Sequence, residues 1–333
     1  MTEDVLKQLS QNYSQDLSNS IPYRDGFILN DKSLPYSILI RKSDLSADRI
    51  MFNHLVKSHL ISRNFKYTDR YIISQDGLPY TVLDNQIYIL ISKINGTEAL
   101  FENMHDTAKA AVALASMHRA SVGASYDFDA YPFSIRDLGK LPDIFKHRTN
   151  ELKKFRKMAA KGKSFFDYEY VKLAGAFIED GERTIAEIQN SKYNEMVEQT
   201  LKLQILCHHD FTSHNVIFND GNTYLTGFDN CCVEIKEYDI ANFIRRKMRR
   251  TGWALPDAKN IIDNYRSVFA LSDCELEVLK IILRFPQKFW RIVNKYYNSR
   301  RSWCERSCLD KIHEVVTEKE TLDGFLDNFN VLY

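Results

Sequence analysis

The stretch Ile205-Leu206-Cys207-His208-His209-Asp210-Phe211-Thr212-Ser213-His214-Asn215-Val216-Ile217-Phe218 sets a His-x-Asp between two short apolar runs, with an asparagine five residues after the aspartate. Asn219-Asp220-Gly221-Asn222 follows and is hairpin-turn chemistry, because Asp-Gly tolerates the positive φ that a two-residue turn demands. The turn leads into Tyr224–Phe228, read as a strand. A loop and a β-hairpin therefore interrupt a region that otherwise reads as helix. Downstream, Pro256 suits the first turn of a helix running to Phe269. Ser272 with Glu275 forms a capping box, and Pro286 separates that helix from one over Lys288–Tyr297.

Upstream, the pattern changes. Ser37–Arg41, Tyr71–Ser74, Tyr80–Leu83 and Gln86–Ile91 read as short strands, Met51–Leu60 has helical spacing, and Asp76-Gly77 and Asp84-Asn85 are turns. Asn95-Gly96 punctuates this small antiparallel region before a helix over Asp106–Ser121 that stops at Gly123. The reading is an α+β chain in three parts: an extension over 1–35, a small β-rich lobe over 36–94, and a larger helical lobe over 95–333 that carries the hairpin.

Composition narrows the function. In 333 residues, 45 Lys and Arg against 44 Asp and Glu leave a formal charge of +1, so no overall field favours nucleic acid or an anionic membrane as partner. Hydrophobic residues at 44% exclude long disorder, and only 12 Gly and 7 Pro disfavour turn-dense β architectures. The first 21 residues lack the basic start and apolar core of a signal peptide. Apolar runs such as Ile87–Ile91 fall far short of the roughly 20 residues that span a bilayer, so a cytosolic chain is expected. Six cysteines are too sparse for a disulfide scaffold. Neither Cys231-Cys232 nor Cys304 with Cys308 has a second spaced pair to complete a zinc site, so reduced, mostly buried thiols are expected.

His-x-Asp-x-x-x-x-Asn is the spacing of a phosphoryl-transfer loop. Its aspartate, Asp210, would accept the proton of an attacking hydroxyl. Its asparagine, Asn215, would offer an amide oxygen to a magnesium ion on the nucleotide phosphates. A carboxylate after the following hairpin normally completes the metal grip. By chance alone the spacing occurs in roughly a few per cent of ordinary chains. The order of parts around it, small antiparallel lobe, connector, helical lobe, loop and hairpin, is what gives it weight.

On these parts the chain resembles the CotS-type spore-coat family, bacterial relatives of the aminoglycoside and choline kinase-like phosphotransferases. The carrying stretches are Tyr88–Ile94, Leu114–Gly123, Leu206–Phe218, Leu225–Cys231, Tyr238–Arg246 and Phe285–Trp303. The last lies outside general kinase chemistry and points to the coat-associated branch. The resemblance implies a protein-kinase-like bilobal fold with ATP and magnesium as cofactors and other spore-coat proteins as partners. It implies a chain made in the cytoplasm and recruited to the forming coat, and allows a small-molecule substrate; neither nucleic acid nor a membrane is an expected partner. It carries the catalytic role to Asp210, the metal to Asn215 and Asp229, and the phosphate-binding cation to Arg41 or Lys42, depending on register. It also makes Asp239 a structural anchor for the loop.

The same comparison exposes departures. Relatives read Ile-Asp-Phe-Asp after the hairpin, where this chain has Thr226-Gly227-Phe228-Asp229, so Gly227 stands at the metal-gripping position. Asp229 lies about 6–7 Å further along an extended strand, and either substitutes after a loop shift or is the true ligand through an alignment slip within the hairpin. No glycine lies between Gly26 and Gly77, and no glutamate between Glu3 and Glu98, so a phosphate-covering glycine loop and a helix glutamate are both missing.

Three functions are consistent with this pattern: a coat scaffold or binding component with a degenerate site, a working small-molecule phosphotransferase, and a non-coat metabolite-binding regulator. Elsewhere, His208 reads as a loop-orienting core histidine, with His209 and His214 on the loop surface. The basic runs Arg245–Arg250 and Lys146–Lys163 read as solvated faces, and Phe285, Phe289, Trp290, Tyr296 and Tyr297 as helix core.

Overall fold

The computed structural model describes residues 2–31, 34, 36–298 and 305–333. Cys304 and the part of the Phe285–Trp303 stretch beyond Asn298 lie outside the described residues. The chain forms two compact units. One comprises Met1–Arg136, Leu203–Val233 and Ser267–Phe269; the other comprises Asp137–Lys202, Glu234–Arg266 and Ala270–Tyr333.

In the first unit, helix α1 (Glu3–Tyr13) precedes strands β1 (Ile21–Tyr23), β2 (Gly26–Leu29) and β3 (Ser37–Ser43), helix α2 (Ala47–Ser62), and strands β4 (Thr81–Leu83) and β5 (Gln86–Lys93). The five strands make one antiparallel sheet in the order β1-β2-β3-β5-β4. Residues 3–29, set apart in the sequence as an extension, thus supply a helix and two strands of this sheet. Pro22 is accommodated because β1 is an edge strand, where its missing N–H breaks no ladder.

Side-chain alternation gives the sheet two covered faces. Ile38, Ile40, Tyr88 and Leu90 pack beneath Leu6, Leu9 and Tyr13 of α1, while Ile89 and Ile91 pack with Ile50 of α2. Each fully buried leucine or isoleucine here contributes about 1.5–3 kcal/mol. The strand expected over Tyr71–Ser74 shrinks to a single bridge, Tyr71 with Ile91. Ser92 N donates to Arg70 O and Ile72 N to Leu90 O, both at 2.8 Å. The chain then turns at once, Gly77 N donating to Ser74 O.

Strand β6 (Thr97–Glu98), helix α3 (Met104–Ser121), and strands β7 (Leu206–Cys207), β8 (Val216–Asn219), β9 (Asn222–Leu225) and β10 (Cys232–Val233) complete this unit. The hairpin belongs here for a hydrogen-bonding reason. β6 pairs with β8, Leu225 N donates to Tyr67 O at 2.9 Å, and β7 pairs with β10. The Asp220-Gly221 turn takes φ of 47° and 75°, the left-handed pair that its sequence predicts. The strand expected over Tyr224–Phe228 ends at Leu225, and Phe228 lies in a 3-10 turn entered through Gly227.

Among the described residues the second unit is helical: α4 (Leu141–Ala159), α5 (Phe165–Gln189), α6 (Tyr193–Leu203), α7 (Lys236–Thr251), α8 (Leu255–Arg266), α9 (Asp273–Arg284), α10 (Gln287–Asn298) and α11 (Glu305–Asp327). The capping box at Ser272 and Glu275 forms as expected, and Ser164 with Asp167 makes another at α5. Phe289 is fully buried, and Trp290, Tyr296 and Tyr297 pack on the same core as Phe155, Phe166 and Tyr170. Cys207, Cys231, Cys232 and Cys308 are buried cysteines outside any disulfide, and Cys274 is an exposed one. No described helix is long and apolar enough to cross a membrane.

Candidate functional site

The His208–Asn215 loop is closed by its own hydrogen bonds. His208 is fully buried, and its Nε2 lies 2.8 Å from Thr226 O. A carbonyl only accepts, so Nε2 carries the proton and ties the loop to the segment after the hairpin. Asp210 N donates back to His208 Nδ1 at 3.3 Å. His209 turns the chain with φ 64°, a left-handed conformation that costs a non-glycine residue about 1 kcal/mol or more. Asn215 Nδ2 donates to Asp210 O at 2.8 Å and approaches its Oδ2 at 3.3 Å. Thr226 N donates to Asn215 O at 2.9 Å. Asp210 and Asn215 are therefore held together, half-buried, as the sequence spacing expects.

The metal side is arranged differently. Gly227 has φ 76°, and a Cβ built there would lie 2.4 Å from Asn215 Oδ1. The Asn215 amide thus occupies the space that a side chain at position 227 needs. Asp229 is engaged elsewhere, because Arg41 Nη2 donates to its Oδ2 at 3.2 Å, with the two side chains 27% and 36% exposed. A divalent cation needs anionic oxygens turned toward it. Asp229, the carboxylate expected after the hairpin, is already paired with a guanidinium, and position 227 has none. Asn215 and Asp229, as they stand, do not fit a magnesium ion.

On the nucleotide side, alternation along β3 separates the two expected cations. Arg41 shares a face with Leu39 and lines the cleft that also holds Asp210, Asn215, Gly227 and Asp229. Lys42 falls on the opposite face, opposite Tyr88, and is exposed. The β1–β2 connection is a two-residue turn, Arg24-Asp25, with Arg24 at φ 50°. It is too short to form a glycine loop over phosphates. The cleft has a volume of about 410 Å³, within the range of small-molecule sites.

Three residues here, Lys57, Asp69 and Asn53, are absent from the sequence reading. Lys57 on α2 is buried and donates to Asp69 Oδ2 at 2.8 Å, with side chains 5% and 9% exposed. Burial by itself would lower the Lys57 pKa. The charges of Asp69, Tyr71 and Asp229 and the hydrogen bond to Asp69 outweigh it, and the net shift is upward. The helix that would carry a glutamate in a kinase carries a lysine, and its counter-ion comes from the loop after it. A signal existed: Ile50, Asn53, Lys57 and Leu60 recur with helical spacing, which puts Asn53 and Lys57 on the apolar face. Asn53 is fully buried, and its amide nitrogen, oriented to donate, lies 3.3 Å from Phe228 O.

This geometry agrees with comparisons to known proteins. The family described as "Spore coat putative kinase YutH" matches residues 6–329. The chain belongs to that family. It is also 22% identical over 298 residues to spore coat protein S of Bacillus subtilis (strain 168), covering 89% of this chain and 84% of that protein. Among solved structures, an aminoglycoside phosphotransferase from Alicyclobacillus acidocaldarius superposes with TM-score 0.81 at 18% identity, over 94% of this chain and 91% of that one. Spectinomycin phosphotransferase APH(9)-Ia, solved with ADP and spectinomycin, superposes with TM-score 0.55 at 15% identity, over 99% and 98% of the two chains. The kinase-like phosphotransferase fold is therefore established for this family member.

Proposed function

We propose that this chain is a spore-coat component that uses the kinase-like fold as a binding scaffold, with a phosphotransfer site no longer set up for turnover. One observation carries the reading: Arg41, the cation expected on the nucleotide phosphates, is spent on Asp229, the carboxylate expected on the metal. Phosphoryl transfer consists almost wholly of positioning and charge neutralisation, so a cation and an anion that satisfy each other serve neither task. Gly227 packed against Asn215 supports the same conclusion. Family membership supports recruitment to the coat, with other coat proteins as partners.

What the site retains also bears on function. Asp210 and Asn215 keep their mutual hydrogen bonds, and the cleft lining sets Arg24, Arg41, Lys57 and Lys93 among Asp25, Asp69, Glu98, Asp210 and Asp229. With its cations already matched by carboxylates, the cleft has no surplus positive charge, and support for ATP as its occupant comes from the fold it shares with a phosphotransferase solved with ADP. The retained loop also favours a second reading, a working phosphotransferase with Asp210 as the base, which would require Asp229 to leave Arg41.

Thermal unfolding with ATP, with and without magnesium, and ATP consumption by wild type and Asp210→Asn separate the two. Under the scaffold reading ATP raises the unfolding temperature equally with or without magnesium, and no consumption depends on Asp210. Magnesium-dependent consumption lost in Asp210→Asn would overturn it.

A further inference from the structure

A second surface of the first unit is built of unpaired positive charge. One groove, of about 600 Å³, is lined by the end of α2, one face of α3 and the β8–β9 turn, and its charged residues are Arg63, Lys109 and Arg119. A neighbouring groove, of about 470 Å³, has Lys66, Arg70 and Lys93 as its charged residues. Neither lining contains a carboxylate among the described residues. The grooves meet at an aromatic pair: Tyr67 lines the first and Tyr224 the second, and their rings touch edge to face with centroids 5.4 Å apart.

The cations are positioned rather than paired. Arg63 Nη2 donates to Val122 O at 3.4 Å, Arg119 Nη1 donates to Val268 O at 3.2 Å, and Lys109 Nζ sits 5.3 Å from the Phe218 ring centre. These contacts hold the side chains in place and leave the charge uncompensated. By contrast, Lys57 in the same unit has Asp69, and Arg41 has Asp229. In a chain with 45 cations and 44 acids, six cations without one carboxylate is a local segregation of charge. Exposed like charges repel, and an opposite charge brought to them gains what they lack.

From this surface we infer a docking site for an acidic, extended polypeptide segment of a partner protein. Its carboxylates reach Arg63 and Arg119 on one side and Lys66 and Arg70 on the other, and its backbone or an aromatic side chain lies against Tyr67 and Tyr224. Val112, Ala113 and Ala120 in the floor of the larger groove leave room for an apolar side chain. A nucleic-acid strand is the less fitting occupant, because such binders are basic as whole domains and this chain has a pI near 7.6. Lys93 also lines the Asp210 cleft, but Arg63, Lys66, Arg70 and Arg119, on which the inference rests, do not.

The test is fluorescence anisotropy of a labelled dodeca-glutamate peptide with the full chain at low salt. Wild type is expected to bind saturably, and the triple variant Arg63→Glu/Arg70→Glu/Arg119→Glu at least tenfold more weakly. A control triple reversal on exposed lysines of α4 and the turn after it, Lys154→Glu/Lys157→Glu/Lys161→Glu, is expected to leave binding unchanged. Neutral Arg63→Gln/Arg70→Gln/Arg119→Gln should weaken binding without the added repulsion, and because these side chains are exposed, have no carboxylate partner and give up only exposed hydrogen bonds to Val122 O and Val268 O, both variants should still unfold cooperatively within a few degrees of wild type. Absence of binding by wild type, equal loss in the control reversal, or tighter binding of a 12-nucleotide single strand that the triple variant loses would each overturn the inference.

Discussion

Arg41 and Asp229, 188 positions apart in the chain, are joined by a 3.2 Å hydrogen bond between Nη2 and Oδ2. The first lies on the central β3 strand and the second just past the β8–β9 hairpin. By the resemblance to phosphotransferases, these two positions are expected to grip different parts of a metal–nucleotide complex. Here each is the other's counter-ion. The pair is thereby electrostatically settled without any ligand, which is the physical ground on which we propose that the site is degenerate.

Releasing Asp229 should therefore expose a cation site. Arg41→Gln keeps a polar side chain on β3 and removes the charge, leaving the Asp229 carboxylate free beside Asn215. The variant is expected to be stabilised against heat by millimolar magnesium or manganese, whereas wild type is not. Because the pair is a third exposed, its loss should change stability in the absence of metal by no more than about 1 kcal/mol. An identical, flat response of both proteins to the metals would show that Asp229 is not a latent ligand.

The Lys57–Asp69 pair behaves differently because it is buried. Lys57→Met leaves Asp69 as an uncompensated carboxylate inside the unit and should cost about 3–5 kcal/mol in urea unfolding. Lys57→Met/Asp69→Leu removes both charges and should recover most of that loss, since replacing a buried pair by apolar groups is often neutral. The Lys57 pKa is raised above 10.5, its ordinary value. Its contribution is therefore fully present below that pH and is lost only as pH climbs past the raised value. In Lys57→Met, strongly alkaline pH should produce less further destabilisation than in wild type.

The fold was readable because several local signals agreed. Asp220-Gly221 demanded a hairpin, Ser272 with Glu275 demanded a helix start, and the His208–Asn215 spacing needed a loop between them and the small lobe. The α+β kinase-like class follows from those elements in that order. What escaped were features set by pairing across the chain. β1 and β2 are three and four residues long, too short for alternation to register, and become strands only through β3. The Tyr71–Ser74 run has strand composition, but β4 takes the adjoining part of the same β5 edge. The choice between Arg41 and Lys42 depended on a one-residue register that only the pairing with β5 decides. No local pattern reveals that Arg41 reaches Asp229.

The second unit holds a buried acid whose titration should be visible. Glu234 is 1% exposed. Desolvation first, then the negative charges of Asp137, Asp239 and Glu237, push its carboxyl up to about 8, against the lowering effect of the Ile235 N–H. The folded chain thus holds a proton that the unfolded chain releases near 4.5. Stability from this group is full below about 4.5, falls as pH rises from there to about 8 with a slope of up to about 1.4 kcal/mol per pH unit, and then levels off. Glu234→Gln keeps the acceptor for Ile235 N and removes the ionisation. It should be more stable than wild type at pH 8 and nearly equal to it at pH 4, read from urea midpoints at the two pH values.

Placing at position 227 the aspartate that the resemblance leads one to expect should not create a metal site by itself. Gly227 sits at φ 76°, where any L side chain is strained, and its Cβ would lie 2.4 Å from an Asn215 amide that Asp210 already holds. Gly227→Asp and Gly227→Ala should therefore both destabilise the chain, by about 1–3 kcal/mol, since the strain belongs to the backbone and the Cβ. Neither should gain magnesium binding while Arg41 holds Asp229. Combining Gly227→Asp with Arg41→Gln supplies two free carboxylates and should bind magnesium more tightly than Arg41→Gln alone. If Gly227→Asp on its own is as stable as wild type and is further stabilised by magnesium, then Asn215 swings aside easily, and the glycine rather than the Arg41–Asp229 pair is what disables the site.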